Sequence, residues 1–195
     1  MKKSSQQLVG NDVVDLQLAH KQSNWKRAGY LNKLFNADEQ GLIHYAQDPE
    51  LLLWLMWTMK ESAYKIVNRA SGMRIYSPLS FTCSKLLLTN TGASGEVSYQ
   101  QQTFYTKTDI KPLRLHSIAL MSLNDLDVIK IHQQQHTNCY LADFNRIFVD
   151  YELSRNTAGL PELLNRNTGK KCAVSISHHG RHLAIAYSDS PLSAD

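Results

Sequence analysis

The sequence predicts an α+β fold in which an antiparallel sheet packs against one long helix, and three observations predict it. Residues 49–69 carry apolar side chains three and four apart, between clear start and stop signals. Segments 79–89, 97–108 and 113–122 alternate in the manner of strands, separated by Thr91-Gly92-Ala93-Ser94-Gly95 and by Lys111-Pro112. The chain then closes on two strand-like runs, 172–177 and 182–188, around a His-His-Gly-Arg turn. With 195 residues, 43% hydrophobic and 19% charged, a single globular domain over 1–195 is expected.

Taken in order, Leu8–Leu16 reads as a short buried strand, because Val9, Val13, Val14 and Leu16 surround a polar trio. Trp25, Ala28, Leu31, Leu34 and Phe35 have helical spacing. A second helix is predicted from Asn36, which with Glu39 makes a capping-box pair. Asp48-Pro49-Glu50 then supplies a cap, a proline at the first helical position and an acid in the first turn. The helix it starts buries Leu52, Leu55, Met56, Met59, Ala63, Ile66, Val67 and Ala70. Trp57, Glu61 and Lys65 fall on the opposite face, and Gly72 supplies the stop. After the alternating segments, 128–132 reads as another short strand, and helical spacing returns at 140–153 and 161–165. No internal repeat is visible.

A net charge of +4 and a pI near 8.9 suit anionic ligands. With no block of consecutive Lys or Arg, nucleic acid is not expected as a partner. Cys83, Cys139 and Cys172 are widely spaced, odd in number and free of any Cys-x-x-Cys, which argues for reduced thiols rather than a disulfide framework or a zinc site. The basic segment Met1–Gln7 is followed by only Leu8 and Val9 before polar residues return. No signal peptide or membrane span is read, and the cytoplasm is the expected location.

The chemistry concentrates in three separated blocks: Gly10-Asn11-Asp12, Trp57-Thr58-Met59-Lys60-Glu61-Ser62-Ala63-Tyr64-Lys65, and Ser175-Ile176-Ser177-His178. A carboxylate between two lysines suits work on phosphates, since the acid can hold a divalent cation or take a proton while the ammonium groups neutralise oxygens. Each block also has a plain structural reading. Asp12 alone could be a solvated or capping acid, and Glu61 with Lys65 could be a surface i, i+4 pair worth roughly 0.3–0.5 kcal/mol. Ser177 and His178 would point to opposite faces of a strand, which speaks against a Ser–His nucleophile and base. His179 reads as a turn residue. Asp15, on the opposite strand face from Asp12, has an open role.

Together and in this order, Gly-x-Asp, Trp-x-x-Lys-Glu-x-x-x-Lys and Ser-x-Ser-His resemble the 4′-phosphopantetheinyl transferase superfamily. The resemblance covers residues 8–88 and 172–188, leaving a poorly matching insertion at about 90–170. It implies the fold of that family and transfer of 4′-phosphopantetheine from coenzyme A to a serine of an acyl or peptidyl carrier protein, as in fatty acid or polyketide biosynthesis, with release of 3′,5′-ADP. It further implies that Asp12 and Glu61 hold Mg²⁺, that Glu61 helps deprotonate the attacking serine directly or through water, that Lys60 and Lys65 lie near the phosphates, and that Ser177 and His178 contact the coenzyme's 3′-phosphate. Two carboxylates suffice for magnesium when water and phosphate fill the rest of its octahedron.

Two positions depart from the family: Asn11 replaces an apolar residue, and Val14 stands where larger members carry an acid. The motif order matches the short holo-acyl-carrier-protein synthase type, in which a neighbouring subunit supplies the late strand. A homo-oligomer, such as a trimer, and a monomer both remain open. The rival readings are a non-catalytic module that binds coenzyme A or a carrier protein, and a metal-dependent nuclease, whose acid-x-Lys signature is missing after Glu61.

Overall fold

Each half of the chain builds a five-stranded antiparallel sheet with a helix laid on it, in a computed structural model that describes residues 8–72, 74 and 76–191. The basic segment Met1–Gln7 lies outside the described residues. The first sheet contains β1 (Val9–Asp15), β2 (Phe81–Leu88), β3 (Gly92–Tyr99), β4 (Gln102–Lys111) and β5 (Arg114–Leu120), in the order β1-β5-β4-β3-β2. Between β1 and β2 the chain forms α1 (Leu16–Gln22), α2 (Ala37–Tyr45) and the long α3 (Pro49–Ser71). The second sheet contains β6 (Ile129–Gln135), β7 (Tyr151–Arg155), β8 (Pro161–Asn165), β9 (Lys170–His179) and β10 (His182–Pro191), in the order β6-β10-β9-β8-β7, with α4 (Tyr140–Ile147) between β6 and β7. Both halves trace one path: a strand, a helix, then a meander whose last strand returns beside the first. The repeat absent from the sequence is present in the topology.

Helix α3 organises the first half. Asp48 accepts from Leu51 N–H at 3.0 Å to cap its start, and Gly72, with φ at +70°, ends it in the left-handed region. Leu55, Met56, Met59, Ala63 and Ile66 are buried as the stripe predicts, packing on a core that includes Phe81, Phe104 and Leu115. Each such side chain contributes about 1.5–3 kcal/mol by leaving water. The helix also buries hydroxyls: Thr58 Oγ1 and Thr108 Oγ1 each lie 2.7 Å from Ser117 Oγ, and Ser62 Oγ donates to Ser117 O at 3.1 Å. These bonds join α3 to β4 and β5 without leaving polar groups unpaired.

Gly10 is where β1 meets α3. A Cβ there would stand 1.9 Å from Ser62 O, so only glycine lets the two backbones come this close. That contact brings Asp12, two residues on, beside the helix face carrying Glu61.

The capping box of α2 forms as predicted, with Glu39 N–H to Asn36 Oδ1 and Asn36 N–H to Glu39 Oε2 both at 2.9 Å. Four other expectations change. The spacing at 25–35 does not make an α-helix: Trp25, Leu31 and Leu34 pack on the core, but the path is turns and one short 3₁₀ segment, Leu31–Lys33, with Gly29 at φ +75°. Residues 97–108 are a hairpin, reversing at Gln100 with φ +53°. The helix expected over 140–153 stops at Ile147, and the chain continues as β7. Residues 161–165 form β8, because five residues between two strands gain more from ladder bonds than from an isolated helical turn. Helix α1 was not legible. Among the described residues no helix is long and apolar enough to cross a membrane.

The halves join along β1 and β9, which run in parallel. Asn11 N–H donates to Ser175 Oγ at 3.0 Å and Asp15 N–H to His179 Nδ1 at 2.9 Å, both across 164 residues. The outer edge of β1 is thus closed by side chains of β9. Asn11 also donates from Nδ2 to Ala184 O at 3.0 Å, so the residue that departs from the family pattern stitches the seam.

Candidate active site

A cavity of about 640 Å³ opens at this seam. Asp12 of β1, Trp57, Glu61 and Lys65 of α3, and His178 and His179 of β9 all line it, with Arg27 and Tyr30 from the segment after α1. Four of the six predicted site residues are therefore brought together: Asp12, Glu61, Lys65 and His178. All come from one chain, and no second subunit is needed to bring the late strand to Asp12.

Trp57, Glu61 and Lys65 share a face because four residues make slightly more than one helical turn. Lys65 Nζ donates to Asn11 O at 2.6 Å and to Asp12 Oδ1 at 3.1 Å. Burial raises the Asp12 carboxyl above its ordinary pKa, although Lys65 opposes it. Burial, and next the charge of Asp12, push Glu61 up to about 7, with Lys65 again opposing. Two carboxylates raised by burial, one of them also by the charge of the other, form a hard-oxygen donor set suited to a small divalent cation. Among the described residues no group of three or more His, Cys, Asp or Glu is placed to hold a metal, so magnesium there would draw its remaining ligands from water and phosphate.

Two expected residues do not face the cavity. Lys60 is wholly buried, and its three donors go to Glu39 Oε2 at 2.7 Å, Leu34 O at 2.9 Å and Pro78 O at 3.2 Å. Glu39 in turn accepts from Cys83 N–H at 2.8 Å. This correction has a geometric cause: adjacent helical residues point about 100° apart, so Glu61 and Lys60 cannot both serve one pocket. Ser177 is buried too, its Oγ without a partner among the described residues, while His178, one residue on, emerges on the other face of β9.

His179 is the residue that sequence reasoning missed. Its Nδ1 accepts from Asp15 N–H, which leaves Nε2 to carry the ring proton in the neutral form. No local signal separates such a histidine from a turn residue, because its partner is 164 positions away. Asp15 itself stays out of the cavity. It caps α1 by accepting from Leu18 N–H at 3.2 Å and reaches Arg181 Nε at 3.3 Å, fastening the β9–β10 turn to the end of β1. Burial raises its pKa, but the Leu18 and Arg181 N–H groups and the Arg181 charge more than offset this, and the carboxyl lies below its ordinary range.

No curated protein matches this chain. Among solved structures it is similar to a holo-[acyl-carrier-protein] synthase from Thermotoga maritima, at 12% identity and a TM-score of 0.42, over 78% of this chain and 80% of that one. A likeness that loose carries no functional weight. The family model described as the 4′-phosphopantetheinyl transferase superfamily matches residues 8–120, from the strand of Asp12 through the helix of Glu61 and Lys65 to the end of β5. With more than half of its length matched, the chain belongs to the 4′-phosphopantetheinyl transferase superfamily.

Proposed function

We propose that this chain transfers the 4′-phosphopantetheine group of coenzyme A to a serine of an acyl or peptidyl carrier protein and releases 3′,5′-ADP. The observation that carries the reading is the convergence of Asp12, Glu61, Lys65, His178 and His179 on one cavity, in a chain whose family transfers this group. Asp12 and Glu61 are the residues that would hold magnesium, which when bound supplies positive charge to the pyrophosphate oxygens.

Glu61 serves as the base toward the incoming serine. Burial and the charge of Asp12 raise its carboxyl to about 7 in the cavity without a cation, and magnesium held there would favour the ionised form, the form that accepts a proton. Lys65 holds Asp12 in place and sets an ammonium beside the leaving group. His178 and His179 present ring N–H donors to anionic oxygens at the end of β9. Trp57 walls the cavity beside Glu61 and limits water around the nucleophile.

The test is the mass of a purified apo carrier protein after incubation with this chain, coenzyme A and Mg²⁺. Gain of one phosphopantetheine group on a serine is the expected result. Coenzyme A binding without any mass gain would favour the non-catalytic module instead, and absence of both would overturn the reading.

A further inference from the structure

On the other face of the first sheet from the reacting centre, a second cavity of about 450 Å³ opens. It is lined by Arg114 at the start of β5, by Gln133, Gln134 and Gln135 at the end of β6, and by Arg181 and His182 where β9 turns into β10. Strand alternation accounts for this placement. Ser117 faces α3 through its contact with Thr58, so Arg114, three residues earlier, points away from that helix, beside its cross-strand partner Asp15. His132 packs on Phe144 and Phe148 on the α4 side, so Gln133 and Gln135 turn the other way, level with Ala184 and His182. The walls thus come from both halves of the chain, and none of these six residues lines the cavity at Asp12 and Glu61.

The polar groups of this second cavity are only partly satisfied. Arg114 Nη2 donates to Asp109 Oδ2 at 2.8 Å, but Arg114 Nε, closed off from solvent, has no hydrogen-bond partner among the described residues. His182 Nε2 has none either, and lies 3.8 Å from Asp15 Oδ2. Arg181 approaches the same Asp15 oxygen with Nε at 3.3 Å and donates from Nη2 to Gln17 Oε1 at 3.0 Å. A guanidinium N–H can only donate, so Arg114 Nε calls for an acceptor. The charges decide which acceptor. Asp109 and Asp15 balance Arg114 and Arg181, and burial drives His182 toward its neutral form, opposed by Asp15 and the Leu113 backbone and reinforced by Arg114 and Arg181. One negative charge arriving here is met by a proton on His182, whereas a dianion leaves a charge without compensation.

We infer that this cavity is a second ligand site, taking a small monocarboxylate between Arg114 and the amides of Gln133 and Gln135. Arginine suits the planar carboxylate, and the glutamines add donors without adding charge. An occupant that touches β5, β6 and the β9–β10 turn binds only the docked arrangement of the two sheets. The turn it holds directly follows His179, so the site is placed to bias the reacting cavity through linkage. The inference does not depend on the function proposed above.

The experiment is a nuclear magnetic resonance titration of the full-length, ¹⁵N-labelled chain with sodium butyrate, with sodium chloride at matched ionic strength and inorganic phosphate as comparisons. Butyrate should give saturable amide shifts grouped at the start of β5, the end of β6 and the β9–β10 turn, and chloride should not. Arg114→Met should weaken butyrate about 10- to 100-fold, the worth of one charge-assisted hydrogen bond. Gln135→Glu, an isosteric change on an exposed side chain, should weaken it about 3- to 10-fold by like-charge repulsion, and decides the matter alone if Arg114→Met does not fold. Absence of saturable shifts, equal shifts from chloride, or wild-type affinity in the folded variants overturns the site. Phosphate that saturates the same amides more tightly than butyrate overturns its assignment to a monocarboxylate.

Discussion

The ammonium of Lys65 lies 3.1 Å from Asp12 Oδ1 and 2.6 Å from the carbonyl oxygen of Asn11, so the side chain that counters the carboxylates also binds α3 to β1. Glu61, one helical turn before Lys65, has no such structural duty. Glu61→Gln should therefore lower phosphopantetheine transfer by about 10²–10⁴-fold, the usual cost of losing a general base, with the melting temperature unchanged or raised. Near-wild-type transfer by this variant would remove Glu61 from the mechanism.

Lys60 and Lys65 should behave in opposite ways. Lys60→Met leaves the buried Glu39 carboxylate without its counter-charge, and loss of one member of such a pair costs about 3–5 kcal/mol. Denaturant unfolding should show that loss for Lys60→Met. For Lys65→Met, whose side chain is partly open to solvent but joins α3 to β1, a smaller loss of about 1–2 kcal/mol is expected together with a severe loss of activity. Equal stability of the two variants would contradict the assignment of Lys60 to the core.

Gly10→Ala tests the approach of β1 to α3. Its Cβ would meet the backbone oxygen of Ser62, which cannot move without unwinding a turn of the helix. We expect destabilisation of at least about 2 kcal/mol and a fall in transfer, since Asp12 moves with the strand. Circular dichroism melts together with transfer rates would reveal it.

Acid should loosen the seam through His116. Burial, and next the charge of Arg114, hold this imidazole down at about 4. Its Nε2 lies 3.2 Å from Asn11 Nδ2, a contact that requires the ring nitrogen to accept. The folded pKa is below the unfolded value, so the unfolded chain binds more protons between about pH 6.5 and 4, and stability falls as pH drops through that window. The loss should approach about 3 kcal/mol, since each pH unit between the unfolded and folded values is worth roughly 1.36 kcal/mol. His116→Gln should flatten this part of the stability profile; an unchanged slope would assign the acid sensitivity to other groups.

Because Asp12, Glu61 and His178 line one cavity of one chain, complementation between subunits is not expected. Glu61→Gln and His178→Ala proteins, unfolded together and refolded as a mixture, should stay inactive whatever their oligomeric state. Activity regained on mixing would show that the late strands exchange between chains.

What could be read from the sequence was what depends on near neighbours. The caps at Asn36 and Asp48, the stop at Gly72 and the stripe of α3 involve residues within four positions of one another, and they fold as spaced except at the helix ends, where Leu52 and Val67 are half-buried and Ala70 is exposed. The offset of Glu61 and Lys65 is likewise local, and both reach the cavity. Lys60 misled because its partner Glu39 lies on another helix, 21 residues away, and a lysine beside a catalytic-looking acid carries no mark of burial. Asn11 stood out as a departure, but its reason, the bonds to Ser175 and Ala184, required the second half of the chain to be in place. The same distance hid His179 and the doubled topology, in which two unlike sequences satisfy one pattern of strand pairing.

The seam between β1 and β9 also sets an order of events during synthesis. Residues 8–120 close their own sheet, since β1 finds β5 with Val9 opposite Leu120, and this unit can fold while the rest is still being made. Asp12 and Glu61 then wait, half walled, until translation reaches His179 and β9 arrives alongside β1. A ribosome-bound chain halted anywhere before that point should be structured yet without a closed cavity, and competence would come late and abruptly, with the docking of the second sheet.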